Sequence, residues 1–181
     1  MKKYTFIALF ALLIGGISSS FIINPTTTAV SEKVVVSDEL SWFTDFQKAN
    51  AESKKTNKPI FAFFTGSDWC GWCRKLQADV FRKESFIKWA KEEVILLELD
   101  FPRRTALPEK LKKQNYELAR LLKVKGYPTV WILSTNENPE TKQVNLNLWG
   151  STGYPSGATK GKEEVTFIAN MEKIFATQKA K

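Results

Sequence analysis

Ile60-Phe61-Ala62-Phe63-Phe64 is an unbroken apolar run of strand length, bounded by Lys58-Pro59 before it and Thr65-Gly66-Ser67-Asp68 after it. A strand sends alternate side chains to opposite faces, so a run that is apolar at every position needs cover on both. This is the pattern of a central strand inside a layered fold.

The flanking sequence supplies the layers. Trp42, Phe43, Phe46 and Ala49 fall at helical spacing within Ser41 to Lys55, and Asn57-Lys58-Pro59 stops that helix. After the central strand, Thr65 to Asp68 is turn chemistry suited to capping a helix that starts near Cys70 and carries Leu76, Val80 and Phe81 inward. A short helix around Phe86 to Glu92 follows, then a strand from Val94 to Leu99 that ends at Asp100-Phe101-Pro102. A loop from Arg103 to Pro108 leads into a helix through Leu111, Tyr116, Leu118, Leu121 and Leu122, and Gly126-Tyr127-Pro128 precedes a third strand, Thr129 to Leu133. Asn136 to Pro139 reads as a hairpin turn, with a return strand through Val144, Leu146 and Leu148. Gly150 to Gly161 reads as loop, and a closing helix from Val165 to Phe175 carries Phe167, Ile168, Met171 and Phe175 on one side. Helices alternating with strands and ending in a hairpin plus helix predict an α/β sandwich with a mixed sheet.

The chain of 181 residues is long enough for one such domain with a short extra segment. That segment is at the front: Met1-Lys2-Lys3, an apolar stretch from Tyr4 to Ile17, then Ser18-Ser19-Ser20 and Phe21-Ile22-Ile23. A basic start, an apolar middle and small residues give the layout of a secretory signal, and the apolar run is shorter than the roughly 20 residues of a spanning helix. We expect a signal peptide over 1–23, an anchor if it stays uncleaved, a polar Thr-rich linker over 24–40, and the domain over 41–178. The expected location is the periplasm or another exported compartment.

Histidine is absent, which excludes Ser-His and Cys-His nucleophile pairs, a histidine general base and His-bearing zinc sites within one chain. Two cysteines cannot alone close a four-thiolate cage, so neither a metal nor another cofactor is expected. The net charge of +8 is spread among acids without the aromatic interleaving of a single-strand binder. A solvated basic surface explains it, and no nucleic-acid partner is expected.

The chemistry is concentrated in Trp69-Cys70-Gly71-Trp72-Cys73, between an apolar strand and a helix. At this spacing Cys70 stands at the helix start and Cys73 nearly one turn later, close enough to bridge. Unpaired N–H groups and the macrodipole at a helix N-terminus stabilise a thiolate, so Cys70 is the candidate attacking group and Cys73 the resolving one. A structural disulfide over two intervening residues would do little for stability, because the benefit of a crosslink grows with loop length. Half of a metal site would need ligands from a second chain.

These residues resemble the thioredoxin superfamily. Trp69 to Cys73 is similar to its Trp-Cys-Gly-x-Cys motif, and Lys125-Gly126-Tyr127-Pro128-Thr129 to its cis-proline loop. Lys58-Pro59 before the first core strand and Gly150 after the last one also correspond. The resemblance implies a thioredoxin-like three-layer sandwich with a central mixed β-sheet flanked by helices. It also implies a redox-active Cys70-Cys73 disulfide in place of a cofactor, with Trp69, Gly71, Trp72, Tyr127, Pro128 and Thr129 supporting substrate. Tyr127 would offer backbone hydrogen bonds to a substrate strand, and Pro128 would lie against the disulfide.

Within the superfamily the chain is most similar to exported bacterial thioredoxin-like proteins, through Trp42, the Phe64 to Cys70 approach and the Asp100 to Arg104 turn. Two departures matter. The strand Ile60 to Phe64 lacks the family's buried aspartate, so any base for Cys73 must come from elsewhere. Trp72 stands where thioredoxins have proline and oxidising members often have histidine. Without a histidine to favour the thiolate, and with Asp68 opposing Arg74 and Lys75, a moderately lowered Cys70 pKa and a reducing role are expected. The expected activity is thiol-disulfide reduction of disulfide-containing exported proteins, with a membrane thiol-transfer protein as electron donor and a monomeric state. A disulfide oxidase or isomerase, or a peptide-binding module with little turnover, are the alternatives.

Overall fold

A computed structural model describes residues 40–180. The predicted signal peptide, and the linker apart from Leu40, lie outside the described residues. Five strands form one mixed sheet in the order β1-β3-β2-β4-β5: β1 (Trp42–Phe43), β2 (Ile60–Thr65), β3 (Ile95–Asp100), β4 (Thr129–Glu137) and β5 (Val144–Thr152). β1, β3 and β2 run parallel, whereas β4 is antiparallel to both β2 and β5. β2 is the middle strand and every one of its residues is buried, as its unbroken apolar run requires.

Helices cover both faces. α1 (Phe46–Thr56) and α4 (Glu109–Leu121) pack on the side of Ile60, Ala62 and Phe64, closing a core with Phe46, Ala49, Leu97, Leu99, Leu118 and Leu122. On the other side, Phe61 and Phe63 meet α2 (Gly71–Leu76), α3 (Glu84–Glu93) and α5 (Glu163–Lys179). That second core is aromatic: Phe61 alone has ring contacts with Trp42, Phe81, Phe86, Trp89 and Phe167 at 5.7–6.4 Å between centroids. Among the described residues no helix is long and apolar enough to cross a membrane.

Several predicted boundaries move, each for a local reason. The helix expected from Ser41 begins at Phe46, because Trp42 and Phe43 pair with Leu96 and Leu97 as an edge strand and Asp45 caps the helix through the N–H groups of Gln47 and Lys48. The hairpin turn lies at 138–143, later than Asn136 to Pro139: Asn136 and Glu137 still pair with β5, and the Asn138 side chain accepts from the N–H groups of Glu140 and Thr141. Gly150 follows no strand end. It pairs with Ile132 inside β5, beside a register shift, where a Cβ would press on Ile174. The loop that follows is therefore shorter than expected, starting at Gly153.

Candidate active site

The end of β2 hands the chain to the Cys-x-x-Cys segment through a tight turn. The N–H of Cys70 donates to Gly66 O at 2.8 Å, and a Cβ on Gly66 would collide with the Trp69 indole, so glycine is required there by space. Cys70 is the N-cap of α2, and its sulfur accepts the Cys73 N–H at 3.1 Å. The two cysteines form a disulfide with Cα atoms 5.3 Å apart. Their environments differ: Cys70 retains 4% exposure and Cys73 none.

Each predicted supporting residue has a definite place. Trp69 donates Nε1–H to Phe101 O at 2.8 Å, meets Tyr127 edge-on at 5.6 Å, and carries the Arg103 guanidinium 3.9 Å above its ring. Gly71 opens α2 with free space around its Cα. Trp72 is 59% exposed and meets Tyr154 edge-on at 5.1 Å. The Tyr127-Pro128 peptide bond is cis, so the chain turns there before entering β4. Tyr127 packs on Phe101 and joins the core that holds both cysteines, and burial raises its phenol pKa. Thr129 hydroxyl donates to Gly126 O at 2.7 Å, and its backbone pairs with Phe64 next to the start of the cysteine turn. The cis-proline loop and the cysteine loop thus meet through Trp69 and Tyr127.

Charges near the cysteines are arranged differently from the simple sequence picture. Asp68 accepts the backbone N–H groups of Arg103, Arg104 and Thr105 at 2.7–3.1 Å, which lowers its pKa, led by the Arg103 contact, and engages its charge in a loop contact. Lys75 is paired with Asp79, so its charge is spent there. Ser67 is tied to Asp100 through both its N–H and its hydroxyl at 2.8 and 2.6 Å. The turn found in the sequence at Asp100 to Arg104 is therefore the buttress of the cysteine loop.

Three features escaped the sequence. Tyr154 donates to Asp79 Oδ2 at 2.7 Å from a loop that shows no periodicity. The Lys75 and Asp79 spacing is visible as an i,i+4 pair, but nothing in the sequence connects it to Tyr154. Finally, β2 has no acid, but β3 does: Glu98 pairs in register with Phe63 and lines a cleft of about 360 Å³ with Phe63, Gln77, Phe81 and Arg82. Burial, with Asp100 adding to it, raises the Glu98 pKa.

A family model described as a thioredoxin-like domain matches residues 46–144. The chain is 32% identical over 122 residues to "Disulfide bond reductase DsbH" of Chlamydia pneumoniae, covering 67% of this chain and 72% of that protein. It is 30% identical over 125 residues to "Thioredoxin-related protein DsbJ" of the same organism, covering 69% of this chain but only 34% of that longer protein. A solved structure titled "DsbH Oxidoreductase" superposes with a TM-score of 0.61 at 28% identity, covering 75% of this chain and 84% of the other. A thioredoxin from Thermus thermophilus, at 16% identity and a TM-score of 0.50 over 75% of this chain and 86% of its own, shares the fold. The chain belongs to the thioredoxin superfamily and carries the Cys-x-x-Cys pair of its thiol-disulfide oxidoreductases.

Proposed function

We propose that this protein reduces disulfide bonds in exported proteins. The observation that carries the reading is the asymmetry of the pair: Cys70 is the partly exposed N-cap whose sulfur receives a backbone N–H, and Cys73 is sealed beneath it. A hydrogen bond from an amide to sulfur favours the thiolate, so the outer cysteine is the activated one. Cys70 thiolate attacks a substrate disulfide, forming a bond to one sulfur and expelling the other as thiolate. Cys73 thiolate then bonds to the Cys70 sulfur and expels the second substrate sulfur. The substrate gains two electrons and the protein is left oxidised as the Cys70-Cys73 disulfide.

Trp69, Gly71, Trp72, Tyr127, Pro128 and Thr129 form the docking rim in this proposal, with the Tyr127 backbone bonding to an extended substrate segment. The reducing direction is supported by the lack of a histidine between the cysteines and by the similarity to a protein named as a disulfide bond reductase. Export is supported by the leader-like first 23 residues, and regeneration would then fall to a membrane thiol-transfer protein. Insulin reduction by dithiothreitol tests the reading. Wild type should accelerate it, while pre-reduced Cys73→Ser, mixed with insulin after the dithiothreitol is removed, should accumulate a mixed disulfide at Cys70. An inactive wild type would instead support the peptide-binding alternative.

A further inference from the structure

Tyr154, in the loop after β5, is held by more interactions than a surface tyrosine needs. Its hydroxyl donates to Asp79 Oδ2 at 2.7 Å, and the Lys75 ammonium lies 5.0 Å from its ring centroid. Lys75 also pairs with the same Asp79 oxygen, one helical turn away. These contacts fasten the loop to the helix that carries the cysteines. Gly153 is tied to the site by space: a Cβ there would stand 3.1 Å from Pro128 O. The loop therefore backs onto the cis-proline segment and, one residue later, grips the cysteine helix.

The ring so fixed meets Trp72 edge-on at 5.1 Å. Trp72 separates the cysteines in sequence and is 59% exposed, a large indole that solvent would otherwise leave free to change rotamer. The residue before Cys70 has a matching arrangement: Trp69 meets Tyr127 edge-on and is anchored by Nε1 to Phe101 O. Each cysteine is thus preceded by an indole braced by a tyrosine. Trp69 and Tyr127 are partly buried, whereas Trp72 is exposed, and exposed aromatics make effective contact sites.

We propose that Tyr154 is a positioning residue that holds Trp72 as a preformed contact for an apolar side chain next to the substrate disulfide. The substrate class is an extended peptide with an aliphatic or aromatic residue beside its cystine. Asp79 and Lys75 fix the Tyr154 ring, and Trp72 makes the contact. This assignment rests on the oxidoreductase reading above.

The test follows single-turnover reduction by the pre-reduced full chain. The substrates are two cystine-bridged peptides, identical except for Leu or Ser beside one cysteine, and hydroxyethyl disulfide, which has no flanking residue. Tyr154→Ala should slow the Leu peptide roughly two- to tenfold, the range spanned by one aromatic contact. It should leave hydroxyethyl disulfide and the redox potential unchanged. Tyr154→Phe, which keeps the ring and loses the bond to Asp79, should lose less. On the Leu peptide Trp72→Ala should lose at least as much as Tyr154→Ala, and the double variant should be no slower than Trp72→Ala, because one residue acts through the other. Equal losses on all three substrates, no loss on the Leu peptide, or additive losses in the double variant would overturn the assignment. A wild type unable to reduce hydroxyethyl disulfide would overturn the oxidoreductase reading itself.

Discussion

The backbone N–H of Cys73 points at the sulfur of Cys70, 3.1 Å away, so in the proposed reaction the resolving residue also stabilises the attacking sulfur. After reduction this donor remains in the first turn of α2 to favour a Cys70 thiolate, and Cys73 has no exposure through which a reagent could reach it. Iodoacetamide should therefore modify the reduced protein once, at Cys70, with a rate that rises to half its maximum below the pH of about 8.5 typical of a free thiol. Mass spectrometry of the modified peptide checks the site. Equal labelling of both cysteines would refute the asymmetry.

Asp68 should control the order of the neighbouring loop. Its carboxylate collects the N–H groups of Arg103, Arg104 and Thr105, and its pKa is lowered from 3.8, led by the Arg103 contact. A lowered folded-state pKa means that the contribution is present above 3.8 and is lost as pH falls through the lower folded value. Asp68→Ala should speed amide hydrogen exchange at these three positions at neutral pH while leaving β2 protected. Unchanged exchange would show that the loop is held by other contacts.

Glu98 has the opposite sign. Its pKa is raised from 4.5, first by burial and then by Asp100, so the folded protein holds this proton more tightly than the unfolded chain does. The associated stability is complete below 4.5 and is lost as pH rises through the folded value. Glu98→Gln should therefore be more stable than wild type in urea at pH 8, with the difference shrinking at pH 4. A difference independent of pH would contradict a burial-dominated carboxyl.

The aromatic face of the sheet should dominate stability. Phe61 has no exposure and touches five other rings. Phe61→Ala should cost about 3–5 kcal/mol in equilibrium unfolding, the range for a buried phenylalanine whose cavity closes only in part. A loss below about 1 kcal/mol would mean that the core collapses around the gap.

What the sequence revealed follows from the range of each interaction. Ile60 to Phe64 declared its burial because every position is apolar, and Trp69 to Cys73 declared its chemistry because the spacing is local. Trp42 and Phe43 misled, since helical spacing cannot be separated from two adjacent edge-strand residues until their pairing with Leu96 and Leu97 is known. The Tyr154 contact with Asp79 spans 75 residues, and Asp68 meets the loop at Arg103 across 35. Neither leaves a periodic trace. Glu98 escaped because its place depends on strand pairing: only the register with Phe63 reveals that it lies on the face shared with the cysteines.

The central claim is that the Cys70-Cys73 pair works as a reductant, and its equilibrium with glutathione redox buffers tests this most directly. Reported thiol pairs span about −270 mV for thioredoxin to about −120 mV for a strong periplasmic oxidant. With no histidine in the sequence and Lys75 paired with Asp79, the Cys73 N–H favours the Cys70 thiolate but the imidazolium that would stabilise it further is missing. The account predicts a potential closer to the thioredoxin value, and one near about −120 mV would contradict it.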